Sequence, residues 1–125
     1  WHLPTDAEWK TLEIYLGMSQ AEAEAETMME RGSHNEGGKL KEDGTVNWYY
    51  PNAGATNESG FTGLPGGRRI PDGKFEDIKN NGYWWSSATV EGDGSWLRSL
   101  VSSHGYIIKS GYVSKCAISV RCVKD

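Results

Sequence analysis

Cysteine, histidine and basic clusters are scarce in this chain, and long apolar runs are missing. The two cysteines, Cys116 and Cys122, form no Cys-x-x-Cys pair and have no histidine at zinc spacing, which excludes the common zinc motifs. If 116–122 is extended, the two sulfurs lie roughly 20 Å apart at about 3.3 Å per residue. They then cannot bridge each other unless a turn intervenes, and the redox compartment stays open. The three histidines, His2, His34 and His104, sit far apart with no acid paired to them in sequence. Ser86 and Ser87 lack a Gly-x-Ser-x-Gly frame, and neither Gly-x-Gly-x-x-Gly nor a Walker-type loop occurs. The run "GLPGGRR" at 63–69 precedes no helix signal and makes a weak phosphate cradle. The chain therefore reads as non-catalytic, with no cofactor and no metal. Its net charge of −4 and lack of a basic run argue against nucleic acid as a partner. No segment is apolar enough for membrane insertion. The chain starts at Trp1, without an initiator Met or a signal peptide, and reads as a piece of something longer.

Aromatics and glycine are plentiful: six Trp, six Tyr and 16 Gly in 125 residues. That suits one domain, 1–125, with a small core and many loops. Thr5-Asp6-Ala7-Glu8 is a capping box, followed by Trp9, Leu12 and Leu16 at helical spacing and Gly17 as a stop. Ser19-Gln20-Ala21-Glu22 is a second box. Ala21, Ala25, Met28 and Met29 form its apolar stripe, and Gly32 ends it. The alternation "AEAEAE" at 21–26 mimics a strand, yet Ala and Glu favour helix. Residues 33–81 read as a long loop region punctuated by turns such as Asp43-Gly44, Gly66-Gly67 and Asn81-Gly82. Strands are predicted at 83–88, 96–102, 106–113 and 117–123, with hairpin turns at Gly92-Asp93-Gly94 and His104-Gly105. The sum is an α+β fold: two N-terminal helices, a long loop region and a small antiparallel sheet.

Two constellations carry possible chemistry. Asp72, Glu76, Asp77, Glu91 and Asp93 could offer oxygens to calcium, but their spacing matches no known loop, and turn chemistry explains them better. In the predicted sheet, Trp96, Arg98 and Leu100 share one face and Leu97, Ser99 and Val101 the other. Ile107, Lys109, Gly111 and Val113 alternate likewise with Tyr106, Ile108, Ser110 and Tyr112. Both faces are apolar. Either the sheet is buried on both sides, or one face displays Leu97, Val101, Ile108 and Tyr112 to a ligand. The stretch "GYWWSSA" at 82–88 places two tryptophans on opposite faces. One is expected in the sheet core and the other under the long loop region, with Ser86 and Ser87 satisfying loop backbone groups.

The motifs "WHLPTDAEW" (1–9), "TNESGFTGLPGG" (56–67), "GYWWSSAT" (82–89) and "SVRCVKD" (119–125) together resemble the Fibrobacter succinogenes major paralogous domain. "LPTDAEW" and "SVRC" are also similar to the formylglycine-generating-enzyme superfamily. The resemblance implies a C-type-lectin-like fold. It also implies a segment ahead of the "WHLPT" motif, with a Cys-Pro, that would supply a strand beside the C-terminal one and a disulfide partner for Cys122. That segment is missing here. The enzyme cousins' cysteine pair has four residues between its members; Cys116 and Cys122 have five, so the catalytic residues do not carry over. The lectin calcium motifs Glu-Pro-Asn and Trp-Asn-Asp are absent as well.

Domains of this kind include the variable proteins of diversity-generating retroelements, in which adenines of Asn-type codons are randomised. Such codons keep a pyrimidine in third place and cannot yield Lys, Glu, Gln, Met or Trp. No Asn follows Asn81 here. The corresponding positions hold Leu97, Ser99, Val101, Ser103, His104, Tyr106, Ile108, Ser110 and Tyr112, all reachable from those codons. Glu91, Trp96, Lys109 and Lys115 are unreachable and fall outside the set. The resulting expectation is a non-catalytic recognition domain of a surface or secreted bacterial protein. It would bind an unidentified protein or glycan through these nine residues, with His104, Tyr106 and Tyr112 as anchors.

Overall fold

A computed structural model of the chain describes residues 1–26 and 30–125. Helix α1 spans Asp6–Tyr15. Its capping box forms as the sequence dictates: the Thr5 hydroxyl accepts from Glu8 N, and the Glu8 carboxylate accepts from Thr5 N. Trp9 and Leu16 are buried, Leu12 packs beside them, and Gly17 leaves the helix at φ 117°. Helix α2 (Gln20–Glu24) also carries its capping box but is short. Its buried residue is Ala23, whereas Ala21 is exposed and Ala25 already has an extended ψ of 122°. Of the predicted continuation to Gly32, residues 25–26 and 30–32 are not helical, and Met28 and Met29 lie outside the described residues. Arg31 accounts for the stop. Its Nη1 donates to Glu22 O and Ala23 O, capping the helix end, while Nη2 pairs with Glu13 under α1. Glu30–Arg31 then forms strand β1.

The long loop region holds three further pieces of regular structure: α3 (Glu36–Leu40), β2 (Arg68–Arg69) and β3 (Phe75–Glu76). The main hairpin strands follow: β4 (Asn81–Val90), β5 (Gly94–Val101) and β6 (Ile107–Val113). They pair antiparallel in the order β1-β6-β5-β4, and β2 and β3 pair separately. The fold is thus α+β with few helices and small antiparallel sheets. The turn at Gly92 joins β4 to β5 as its residues predict, with Val90 opposite Gly94. The expected fourth strand at 117–123 is not continuous. It makes single bridges, Ala117 with Arg69, Ser119 with Trp84 and Val123 with His2. Its residues serve three different neighbours in turn.

Register sets the two faces. Trp84, Arg98 and Lys109 stand opposite one another across three strands, beside Leu100 and Ile107. This face looks onto α1: the Arg98 guanidinium lies 6.0 Å from the Trp9 ring and pairs with Glu13 and Asp6. Lys109 also reaches Asp6, at 3.1 Å. The core of Trp9, Leu16, Met18, Ala23, Leu40, Trp48, Trp84, Leu100 and Ile107 fills the space between. Trp84 meets Phe61 edge-on, 5.4 Å between centroids, so one tryptophan of "GYWWSSA" serves both the core and the loop region. Trp85 is half-buried on the other face, and its carbonyl accepts from Trp9 Nε1. Ser86 departs from expectation. Its hydroxyl accepts from Ala88 N within β4, at the register shift between Trp85 and Thr89, rather than from the loop. The Ser87 amide donates to Pro4 O.

Candidate recognition surface

The nine positions singled out in the sequence divide into three groups. Leu97 and Ser99 are 2% exposed, which corrects the expectation that they face a ligand. The face they share with Tyr83, Trp85, Ile108, Ser110 and Tyr112 is covered. Arg68 of β2 lies over both the Tyr83 ring (5.4 Å) and the Tyr112 ring (5.3 Å), spanning β5 between them. It also donates to the Tyr112 hydroxyl and pairs with Glu76 and Asp77. Burial and a hydrogen bond to Asp77 push the Tyr83 hydroxyl up to about 12. Ile108, Ser110 and Tyr112 are half-buried along the rim of this cover.

The third group is the β5–β6 turn: Val101, Ser103, His104 and Tyr106. Ser103 and Tyr106 are exposed, Val101 and His104 half-buried. The His104 and Tyr106 rings lie 5.0 Å apart. Tyr106 N donates to His104 Nδ1, which leaves Nε2 to carry the proton toward Glu30 Oε1 at 3.1 Å. Several backbone groups of the turn are held by other segments. Lys41, fully buried, donates from Nζ to Ala53 O (2.7 Å), Val101 O and His104 O (both 3.0 Å). Burial pushes this ammonium down to about 8. Ser102 N donates to Asn80 O, and Ser102 O accepts from Ala53 N. Gly105 O accepts from Gly37 N and Gly38 N at the start of α3. Three loop segments thus hold much of the turn's main chain and leave Ser103 and Tyr106 exposed, with His104 half-buried between them.

Tyr106 also borders a cavity of about 580 Å³ with Glu22, Glu30 and Arg31. An apolar groove of about 480 Å³ runs between α1 and the C-terminal segment, lined by Trp9, Leu12, Tyr15, Phe61, Arg121 and Val123. Sequence reasoning missed this groove, because Arg121 and Val123 come beside α1 only through the His2–Val123 pairing.

The other candidate chemistries resolve into structure. Asp72 pairs with Lys74, and Glu76 and Asp77 with Arg68. Among the described residues no three His, Cys, Asp or Glu side chains cluster to hold a metal. In "GLPGGRR" the amides of Gly66, Gly67 and Arg69 already donate to Leu64 O, Asn81 O and Ala117 O. Cys116 is buried, Cys122 is exposed, and both are free. His2 bonds Glu8 and Asp125, whose carboxylates raise its pKa.

The geometry defines a class: a small α+β domain whose long loops are pinned to a short antiparallel sheet, with an outward-facing turn between its last two strands. More particularly, residues 1–124 match the family model of the Fibrobacter succinogenes major domain, and the chain belongs to that family. A comparison with the curated proteins finds no match, and one with the solved structures finds none either. Among the described residues, no helix is long and apolar enough to cross a membrane.

Proposed function

We propose that this chain is a non-catalytic recognition domain of C-type-lectin-like architecture on an extracellular or cell-surface protein, binding a protein or glycan through the β5–β6 turn. The observation that carries the reading is the turn itself. The carbonyls of Val101, Ser102, His104 and Gly105 and the amides of Ser102 and Tyr106 all have partners, while Ser103 and Tyr106 are exposed beside a half-buried His104. A partly preordered backbone with His104 and Tyr106 rings in tilted contact lowers the entropy cost of binding, and Tyr supplies large contact area with a polar tip. Val101, at the end of β5, and the half-buried Ile108, Ser110 and Tyr112 of β6 border the turn; Leu97 and Ser99 lie buried beneath the Arg68 cover. The non-catalytic reading is supported by the separation of the thiols into one buried and one exposed residue, unlike a reactive pair.

Diversification by a retroelement remains part of the proposal. Trp96 and Lys109, unreachable from randomised Asn codons, stand on the α1-facing side, 4.4 Å apart as a cation–π pair. Aligning the coding DNA with a neighbouring near-identical repeat decides that point. The binding claim is tested by screening the domain and a His104→Ala/Tyr106→Ala variant against glycan and surface-protein panels. The expected outcome is at least a tenfold loss of affinity, about 1.4 kcal/mol, with the thermal midpoint unchanged. Undiminished binding by the variant overturns the assignment of the site.

A further inference from the structure

We infer that the apolar groove between α1 and the C-terminal segment is a second binding site, and that it takes a small amphipathic acid. The ligand's apolar tail lies against the groove's rings and aliphatic walls, and its carboxylate meets Arg121. The groove is a single cavity of about 480 Å³. Pockets for small organic ligands span about 300 to 1,000 Å³ and are mostly apolar, with a few placed polar groups. Three stretches of chain supply the walls: Trp9, Leu12 and Tyr15 of α1, Phe61 of the long loop region, and Arg121 and Val123 of the C-terminal segment. The site shares no lining residue with the β5–β6 turn and does not depend on the turn's role.

The walls are set before a ligand arrives. The Phe61 ring lies 6.0 Å from that of Trp9 and 5.4 Å from that of Trp84, and its amide donates to Ser59 Oγ at 3.1 Å. Val123 is held by a reciprocal pair of main-chain bonds, His2 N to Val123 O (3.0 Å) and Val123 N to His2 O (2.9 Å). Walls fixed in this way lower the ordering cost of binding.

The charge of the occupant follows from which polar groups of the lining are already engaged. Glu8 Oε2 accepts from Thr5 N (2.8 Å) and Thr5 Oγ1 (2.9 Å), and Glu8 Oε1 meets His2 Nε2 at 2.8 Å. The Thr11 hydroxyl donates to Ala7 O (2.9 Å), and Trp9 Nε1 donates to Trp85 O (3.4 Å). Arg121 differs from its counterparts. Arg31, Arg68 and Arg98 each pair with a carboxylate. Among the described residues the Arg121 guanidinium has no ion pair or hydrogen bond, and it lies over the Phe61 ring, 4.8 Å from its centroid. A guanidinium stays charged and presents a fork of N–H donors that fits a carboxylate. An unmatched one against an apolar wall complements a ligand with an apolar body and one anionic end. A cation finds only a Glu8 that three donors already occupy. A sugar, with several hydroxyls, finds two unengaged side-chain groups in the lining, Arg121 and the Tyr15 hydroxyl. The volume is that of a whole small ligand, so the occupant is a free acid rather than the end of a protein chain.

Octanoate, 1-octanol and octylamine share one tail and differ only in the head group. Each is titrated onto the full chain while the NMR signals of the Leu12 and Val123 methyls are followed. Octanoate is expected to shift both saturably and to bind about tenfold more tightly than 1-octanol or octylamine, the worth of a charged hydrogen bond. Its affinity is expected to fall about tenfold on Arg121→Gln, to recover in part on Arg121→Lys, to fall on Tyr15→Ala and to hold on Tyr106→Ala. The side chains at 15 and 121 are exposed, so the thermal midpoint is expected to hold. The inference is overturned if octanoate leaves the methyls unmoved or binds Arg121→Gln as well as the wild type. It is equally overturned if 1-octanol binds as tightly, making the groove a plain apolar site, or if octylamine binds more tightly, making it a cation site. A glycan-panel signal lost on Tyr15→Ala makes the occupant a sugar. A peptide that ends in leucine, outcompetes octanoate and fails when its C-terminus is amidated makes it a protein terminus. A dimer that Tyr15→Ala converts to monomer in sedimentation makes it a second copy.

Discussion

Asp6 sits where three cations converge: Arg98 at 2.8 Å, Lys109 at 3.1 Å and Lys10 at 3.1 Å. Burial opposes its ionisation, but Arg98 above all, with Lys109 and Lys10, overcomes that and holds the carboxyl at about 2 against an ordinary 3.8. A lowered carboxyl pKa stabilises the fold above the unfolded value and loses that stabilisation as pH falls toward the folded one. The stabilisation is therefore complete above pH 5 and largely gone by pH 2. At about 1.4 kcal/mol per pH unit, it amounts to about 2 kcal/mol. Urea unfolding of the wild type and Asp6→Asn across pH 2–6 checks this: their difference in stability is expected to shrink by about that amount on acidification. A difference independent of pH would refute the assignment. At this scale the sequence was only partly legible. Alternation correctly put Arg98 and Lys109 on the face of Leu100 and Ile107, but nothing near them in sequence named Asp6 and Glu13, which lie more than 80 residues away. The burial of Leu97 and Ser99 was illegible for the same reason, since Arg68 arrives from a separate hairpin.

Among the elements, the two capping boxes were fully readable because their donors and acceptors lie three residues apart. The end of α2 was not, since a side chain from β1 terminates it. Helix α3 was missed outright. Its sequence, EGGKL, has poor helix propensity, and its N-cap Asn35 adopts the left-handed conformation at φ 61°. Its glycines explain why it exists. A Cβ on Gly37 would lie 2.7 Å from the Tyr106 carbonyl carbon and 2.9 Å from Gly105 O. Only a bare backbone lets α3 come close enough for the Gly37 and Gly38 amides to reach Gly105 O. Gly37→Ala is therefore expected to cost about 2 kcal/mol or more despite its better intrinsic helix propensity, because the opposing atoms are main chain. Thermal denaturation measures this. Alanine at Gly44, where a Cβ meets nothing within 4 Å but φ is +85°, separates conformational strain from crowding. A smaller loss at Gly37 than at Gly44 would contradict the close-packing account.

Across the whole molecule, the long loops are tied to the helices and sheet by a few buried side chains that enter one small core. Trp48 anchors the 42–52 loop, Trp84 and Phe61 anchor the 56–67 segment, and Lys41 ties residues 53, 101 and 104 together. The amphipathic helices and alternating strands could be read from local pattern, whereas these ties join residues 12 to 63 positions apart and leave no period in the sequence. Such an architecture implies that loop order and sheet order are separable. Lys41→Met removes the three N–H donors, leaving three main-chain oxygens without this partner. It also removes the cost of burying the charge, so the net loss is expected to be about 2–3 kcal/mol. The loss should be uneven. Amide hydrogen exchange is expected to accelerate at Ala53 and Ser102, whose amides bond within the junction Lys41 holds. Protection across the β4–β5 ladder and in α1 should fall only by the global change. If exchange accelerates uniformly over the chain, Lys41 is simply part of one cooperative core. If it concentrates at the junction, the β5–β6 turn is a separately stabilised unit, and its stability can be changed without dismantling the sheet that carries it.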